Sequence, residues 1–176
     1  MPSQHASIGP WEIAVQGFVT PVGLEIAAVR LWGEGASLET EPLNYALQGE
    51  AKLQALIHQA SLEAFLRAKL PDNMSNAEVS LEPGKIVVKA TVKVLLPVAA
   101  TAICTLRIVD GSKIFVDLQS VEMLGAGVKS LVQKQIDAIN PVLDAADWPV
   151  DVHLEEIRIE SGRIVAEGTV VPPSGP

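Results

Sequence analysis

The sequence has little of what commonly staples a small fold or builds a metal site. It contains a single cysteine, Cys104, among 176 residues, which excludes an internal disulfide and a zinc site made of several cysteines. Its three histidines are scattered along the chain without metal-ligand spacing. Aromatic residues make up only 4% of the chain. We therefore expect neither a metal ion nor another cofactor.

Basic residues and long apolar runs are also scarce. The 13 Lys and Arg residues against 21 Asp and Glu residues give a net charge of −8, whereas nucleic-acid binding needs a basic patch. The longest apolar stretch, residues 94–104, is broken by Pro97 and falls well short of the roughly 20 residues of a membrane-spanning helix. Nucleic acid is therefore not an expected partner. No leader is recognisable, so we expect a cytoplasmic or membrane-peripheral protein, or an envelope protein if a leader has been removed.

Aliphatic side chains are abundant, and their order predicts strands. Hydrophobic residues make up 48% of the chain, enough for one domain spanning residues 1–176. Alternation of apolar and polar residues, typical of half-buried strands, runs through residues 86–96, 102–108 and 114–118. Pro83-Gly84 and Ser161-Gly162 suit tight turns. The apolar face changes sides within residues 24–31 and 152–159, which predicts bulges that bend the sheet. The pattern predicts a curved antiparallel meander.

Two segments have the helical period instead. Residues 50–70 are predicted to form a long amphipathic helix with a second apolar face, formed by Leu62, Phe65 and Leu66. A second, shorter helix is predicted to begin near Val128 and to end before Pro141. A helix that is apolar on two sides must be covered on both, by the sheet on one side and by a second layer, a partner or a ligand on the other. The expected fold is α+β, a curved antiparallel sheet with a long amphipathic helix and a second, shorter helix.

The chain also contains an internal similarity. Residues 79–92 and 157–170 share Glu, Gly, Ile, Val, Thr and Val at the same positions, 78 residues apart. This offset predicts a two-fold repeat with units at about 20–92 and 98–170. Residues 171–176 are expected to be a disordered tail.

Residues that could carry catalysis lack partners at usable spacing. His58 falls on the long helix, and His153 lies on a strand beside Glu155. Cys104 falls on an inward strand face, where a buried thiol is inert. The glycines before Val128 lack the third glycine or the lysine of nucleotide-binding loops. We therefore expect that the protein is not an enzyme.

The second half of the chain resembles the LmeA-like phospholipid-binding family of bacterial proteins. The resemblance rests on the order of Val-Glu-Met-Leu-Gly-Ala-Gly at 121–127, Ile-Asn-Pro at 139–141, Trp-Pro-Val-Asp-Val at 148–152, and the final hairpin. It implies a fold similar to tubular lipid-binding domains, in which a curved antiparallel sheet wraps a long helix. It also implies an apolar tunnel that takes acyl chains.

The expected lipid-binding residues are the second face of the long helix, apolar residues at strand rims and a tryptophan after the second helix: Leu62, Phe65, Leu66, Leu95, Leu96, Met123, Leu124 and Trp148. Gly127 and Val128, at the start of the second helix, are the expected contacts of a lipid phosphate. The predicted function is non-catalytic binding or carriage of a phospholipid or fatty acyl chain between sheet and long helix, with peripheral membrane contact. Three alternatives stay open: the extra apolar face docks a protein partner, it belongs to an ordinary large core, or the protein is an enzyme that acts on small apolar substrates. The oligomeric state is also open.

Overall fold

A computed structural model describes residues 5–40, 43–122, 127–148 and 151–170. Most of these residues form antiparallel strands, accompanied by two helices, so the predicted α+β class and antiparallel sheet are confirmed. Neither helix in these ranges is long and apolar enough to cross a membrane. The predicted tail, residues 171–176, lies outside the described residues, as do Met123 and Leu124.

The strands, in chain order, are β1 (His5–Ile8), β2 (Trp11–Val19), β3 (Glu25–Gly33), β4 (Gly35–Thr40), β5 (Leu43–Gln48), β6 (Ala51–His58), β7 (Met74–Glu82), β8 (Lys85–Lys93), β9 (Pro97–Val109), β10 (Lys113–Glu122), β11 (Leu143–Asp144), β12 (Val152–Glu160) and β13 (Arg163–Val170). The helices are α1 (Gln59–Lys69), α2 (Val128–Ile139) and a single 3₁₀ turn at Ala145–Asp147. The strands form a three-stranded sheet, β1-β4-β5, and two five-stranded sheets, β12-β13-β6-β3-β2 and β11-β10-β9-β8-β7.

The predicted long helix is wrong in its first half. Residues 51–58 form strand β6, which pairs with β3 on one side and β13 on the other. Every second residue of β6 from Ala51 to Ile57 is buried, which is the period of a strand rather than of a helix. Because Leu53, Ile57 and Ala60 also fit helical spacing, the sequence pattern extended the predicted helix into the residues of strand β6. The helix begins at Gln59 and has 11 residues. The second helix, with 12 residues, is therefore not the shorter one.

Helix α1 is attached to the edge strand β7 by three polar side chains one turn apart. Gln59 Oε1 accepts a hydrogen bond from the Leu81 N–H at 2.9 Å, and Glu63 Oε2 accepts one from the Val79 N–H at 3.0 Å. Arg67 Nε donates to the Ala77 carbonyl oxygen at 3.0 Å. These contacts satisfy the backbone groups that an edge strand leaves unpaired, and they fix α1 alongside the sheet.

The predicted repeat is not confirmed as a whole, although its closing hairpins correspond. Strands β7-β8 and β12-β13 each turn through a two-residue loop at equivalent positions. The Gly84 N–H donates to the Ile159 carbonyl oxygen, and the Gly162 N–H donates to the Leu81 carbonyl oxygen, at 2.9 and 3.1 Å. Gly84 and Gly162 are 78 residues apart, and so are Leu81 and Ile159. Each turn therefore donates a hydrogen bond to the equivalent position of the other hairpin. The preceding segments differ, because the residues equivalent to strand β6 lie in helix α2.

One of the two predicted bulges is present. The pairing of β12 with β13 shifts between Leu154 and Glu156, within the predicted range. The pairing of β2 with β3 keeps one register but lacks a pair between Gly17 and Ala27, and Gly17 has a positive φ of 68°, so the change of buried face between Ile26 and Val29 coincides with a local distortion that adds no residue.

Candidate functional site

An apolar pocket lies between the sheet β11-β10-β9-β8-β7 and the two helices. Its volume is about 100 Å³. The sheet and the residues flanking it contribute Met74, Ile86, Val88, Ala90, Val92, Ala100, Ala102, Cys104, Val116 and Val142. The helical side contributes Leu62, Phe65, Leu66, Leu70, Val132, Gln135, Ile136 and Ile139.

The floor of the pocket is built from short side chains. Ala90 and Ala100 are opposite each other in the pairing of β8 with β9, and Ala102 and Cys104 follow on the same face of β9. Ala100, Ala102 and Cys104 are all buried. Larger aliphatic residues at these positions would reach the helices and complete an ordinary core. Alanine and cysteine stop short, and the space above them remains open.

Three of the predicted lipid-binding residues form the α1 side of the pocket. Leu62 and Phe65 are buried, and Leu66 is half-buried. This apolar face adjoins the row of α1 side chains that bond to β7, so attachment to the edge strand fixes the face toward the pocket. Leu62, Phe65 and Leu66 form the second apolar face of the helix, which the sequence predicted to be covered by a second layer, a partner or a ligand.

The polar chemistry of the pocket is minimal. None of the described side chains that line it is charged. Burial raises the pKa of the Cys104 thiol to about 11, so this group is protonated and nearly apolar at neutral pH. Gln135 Nε2 donates to the Lys69 carbonyl oxygen at 2.9 Å, which engages its amide at the end of α1. An apolar cavity of this kind stays dry and accepts apolar groups.

The Ile139-Asn140-Pro141 segment anchors α2 over the sheet. The Asn140 side chain accepts a hydrogen bond from the Val116 N–H at 2.8 Å and donates one to the Val116 carbonyl oxygen at 2.9 Å. One amide thus pairs with both backbone groups of a β10 residue, as a neighbouring strand would. Since Ile139 and Val116 both line the pocket, this anchor fixes the distance between its roof and its floor.

The model of the LmeA-like phospholipid-binding family matches residues 11–169. The chain belongs to this family. The match confirms the resemblance seen in the sequence and extends it to the first strands, and it includes every residue that lines the pocket. Membership in the family supports a phospholipid as the partner. No curated protein and no solved structure matches the chain.

Of the other residues predicted to bind lipid, the three that the structure describes, Leu95, Leu96 and Trp148, do not line this pocket. Leu95 and Leu96 lie in the turn between β8 and β9 and are 91% and 74% exposed. Trp148 packs edge-on against Phe18, with ring centroids 6.3 Å apart. Their apolar character was recognised correctly, but the sequence did not show which surface they would face.

The predicted phosphate contacts lie beside the pocket rather than in it. Val128 is buried against Val92 and Ala100, and Gly127 is exposed with a positive φ of 101°. A buried valine offers its side chain to the core, so only backbone groups are left to meet a phosphate. The head-group contact remains a prediction.

Sequence reasoning missed the floor of the pocket and most of its α2 wall. The inward faces of β8 and β9 were identified as core, and nothing in their alternation distinguishes a core position from a cavity wall. The recurrence of Ala and Cys at adjacent inward positions of β9, from Ala100 to Cys104, was the available signal.

The histidines considered for catalysis are both exposed, and neither lines the pocket: His58 ends β6 and His153 lies on β12. Among the described residues, His, Cys, Asp and Glu side chains form no group of three or more that could hold a metal ion. The apolar pocket is thus the feature of the described chain best suited to a ligand.

Proposed function

We propose that this protein is a non-catalytic phospholipid-binding or carrier protein that holds an acyl chain in the pocket between the sheet β11-β10-β9-β8-β7 and the two helices. The observation that carries the proposal is an aliphatic pocket, walled by Leu62, Phe65 and Leu66, in a member of a phospholipid-binding family. Hydrocarbon is the ligand chemistry that such walls favour.

The energetics favour recognition of the chain over the head group. Each methylene transferred from water to an apolar site contributes about 0.8 kcal/mol. A cavity of about 150 Å³ holds one benzene, so the pocket of about 100 Å³ has room for roughly four methylenes, which contribute about 3 kcal/mol before the ordering cost of binding. The lining offers no charge to a phosphate, so we place the head group outside the pocket and expect weak selectivity among head groups.

A carrier role without catalysis fits the same chemistry. Hydrolysis of a phospholipid requires a nucleophile or an activated water near the ester. The lining's nucleophile, Cys104, is held as a thiol by its raised pKa. We therefore assign the pocket to binding and release.

The proposal is tested by placing a carboxylate on the pocket wall. Leu66→Asp introduces a charge that must be desolvated when an acyl chain enters, and Leu66 is half-buried, so water can reach the new group in the free protein. Ala64→Asp is the matched control, because Ala64 is exposed on the same helix and does not line the pocket. Binding of a fluorescent fatty acid is measured by titration, and folding by circular dichroism.

We expect wild type and Ala64→Asp to bind the probe alike and Leu66→Asp to bind it at least about tenfold more weakly. Lipid extraction followed by mass spectrometry should find phospholipid bound to the purified wild type. Undiminished binding by a folded Leu66→Asp protein would place the site elsewhere. Absence of any acyl ligand from the wild type would favour the alternative, a domain that docks a protein partner.

A further inference from the structure

The turn between β8 and β9 exposes three consecutive apolar residues. Val94, Leu95 and Leu96 are 52%, 91% and 74% exposed. They form a narrow tip, because Lys93 and Pro97 on either side are paired across the hairpin. Leucine side chains this exposed are stabilised when something covers them.

The base of this tip is continuous with one end of the pocket. Val92 and Ala100 are the pocket-lining residues nearest the tip on β8 and β9, and Val98, which pairs with Val92, lies between Ala100 and the tip. Val128 at the start of α2 packs against Val92 and Ala100. The exposed leucines therefore lie only three to four residues along the hairpin from residues that line the pocket.

We propose that the tip formed by residues 94–96 inserts into the surface of a lipid bilayer and brings this end of the pocket to the acyl region. The inference rests on the proposed function, since it gives the pocket its source of lipid. A bilayer is the proposed partner of the tip because the tip is continuous with the pocket proposed to hold acyl chains.

The shape and charge around the tip also favour a bilayer over a protein partner. A stable protein interface buries about 800 Å² on each side, spread over 20–30 residues, whereas this tip is three residues long and convex. Lys93 is exposed at the base of the tip, where an ammonium group can lie at the level of lipid phosphates, and Lys129 is exposed next to Val128. Asp72 is also exposed near the base, beside the Asn73 carbonyl oxygen that accepts from the Lys93 N–H. The exposed carboxylate of Glu122 and the net charge of −8 oppose electrostatic attraction, so insertion of the leucines must supply the binding.

Co-sedimentation with phosphatidylcholine vesicles tests the inference. The double variant Leu95→Ser/Leu96→Ser should partition onto the vesicles about tenfold less than wild type, or less still. Ile13→Ser/Val19→Ser is the matched control, since these residues of β2 are 52% and 58% exposed but lie far from the tip in sequence. We expect the control to partition like wild type.

Two further measurements separate this inference from the function on which it rests. Uptake of a short-chain phosphatidylcholine below its micelle concentration reports on the pocket without a bilayer, and the tip variant should retain it. An environment-sensitive fluorophore attached to Leu95→Cys should shift to the blue on vesicles; Cys104 is buried with a raised pKa and should label far more slowly.

Loss of vesicle binding in the tip variant with uptake retained supports the inference. Equal partitioning of tip variant and wild type, no vesicle binding by wild type, or an unshifted fluorophore would overturn it and leave acyl binding intact. If wild type takes up no monomeric lipid, the proposed function fails, and the connection between tip and pocket fails with it.

Discussion

Filling the pocket from its floor is the most direct way to separate a ligand cavity from a loosely packed core. In Ala102→Phe a benzyl group replaces a methyl group in the middle of β9, which directs a phenyl ring at the open space. The ring takes room that roughly four methylenes of an acyl chain would occupy, at about 0.8 kcal/mol each. The lost binding energy is then about 3 kcal/mol, which weakens the dissociation constant roughly 100-fold.

The stability of the variant provides a second, independent reading. Overpacking a filled core typically costs about 1–3 kcal/mol, whereas a ring that enters open space buries apolar surface without strain. We therefore expect the free energy of unfolding of Ala102→Phe to stay within about 1 kcal/mol of wild type. Urea unfolding and fluorescent fatty-acid titration measure the two quantities on the same preparation.

Ala99→Phe is the matched control for this substitution. Ala99 lies on the same strand and is exposed on the opposite face, so the added ring does not enter the pocket. The control should bind the fatty acid as wild type does. Full-affinity binding by a folded Ala102→Phe protein would refute the pocket as the binding site, and strong destabilisation without loss of affinity would show that the space is ordinary core.

Three other predictions follow from single contacts. Because burial raises the pKa of Cys104 to about 11, its alkylation rate should rise about tenfold per pH unit from pH 8 to 10 without levelling off near pH 9. Bound lipid should slow the alkylation, and a plateau near pH 9 would contradict the assigned burial. Asn140→Ala should lower the free energy of unfolding by about 1–3 kcal/mol, because it leaves both backbone groups of Val116 unpaired; an unchanged urea midpoint would show that the anchor is dispensable. Hydrogen bonds from Arg158 lower the pKa of Glu167 from 4.5 to about 2, so the stabilisation is present above pH 4.5 and is lost as the pH falls toward 2; Glu167→Gln should be less sensitive to acid than wild type over that interval.

The sequence predicted the strands and hairpins well because their signals are local. Alternation over residues 86–96 and the turn at Pro83-Gly84 each depend on a few neighbouring residues, and strand β8 appears with that turn in place. Residues 51–58 show where local reasoning fails. Leu53 and Ile57 satisfy the strand period and the helical spacing together, and pairing with both β3 and β13 decides between them. Those partners lie far away in sequence, so no local window contains the deciding contacts.

The candidate site also has a part that the sequence predicted and a part that it did not. The second apolar face of α1 was predictable because an amphipathic helix reveals its faces through spacing alone. Leu95 and Leu96 were assigned to the same ligand on hydrophobicity, but a turn can point apolar residues away from a cavity as readily as into it. The rest of the site depends on the order of the strands in each sheet, in which the hairpin β7-β8 joins β9 and the hairpin β12-β13 joins β6. A sequence pattern specifies each hairpin but not the strand that receives it.

The contacts of α1 with the edge of the sheet also explain why the helix does not close the space above the pocket floor. An apolar helix face above a floor of Ala100 and Ala102 would normally sink until the void closed, since close packing is favourable. Here Gln59 and Glu63 bond to backbone N–H groups of β7, and any descent of α1 toward the floor would break those bonds. On the far side, the Asn140 amide holds the end of α2 to β10 in the same manner. Each helix is thus fixed by polar contacts with the sheet, and the short floor residues leave a space between them that neither helix can close.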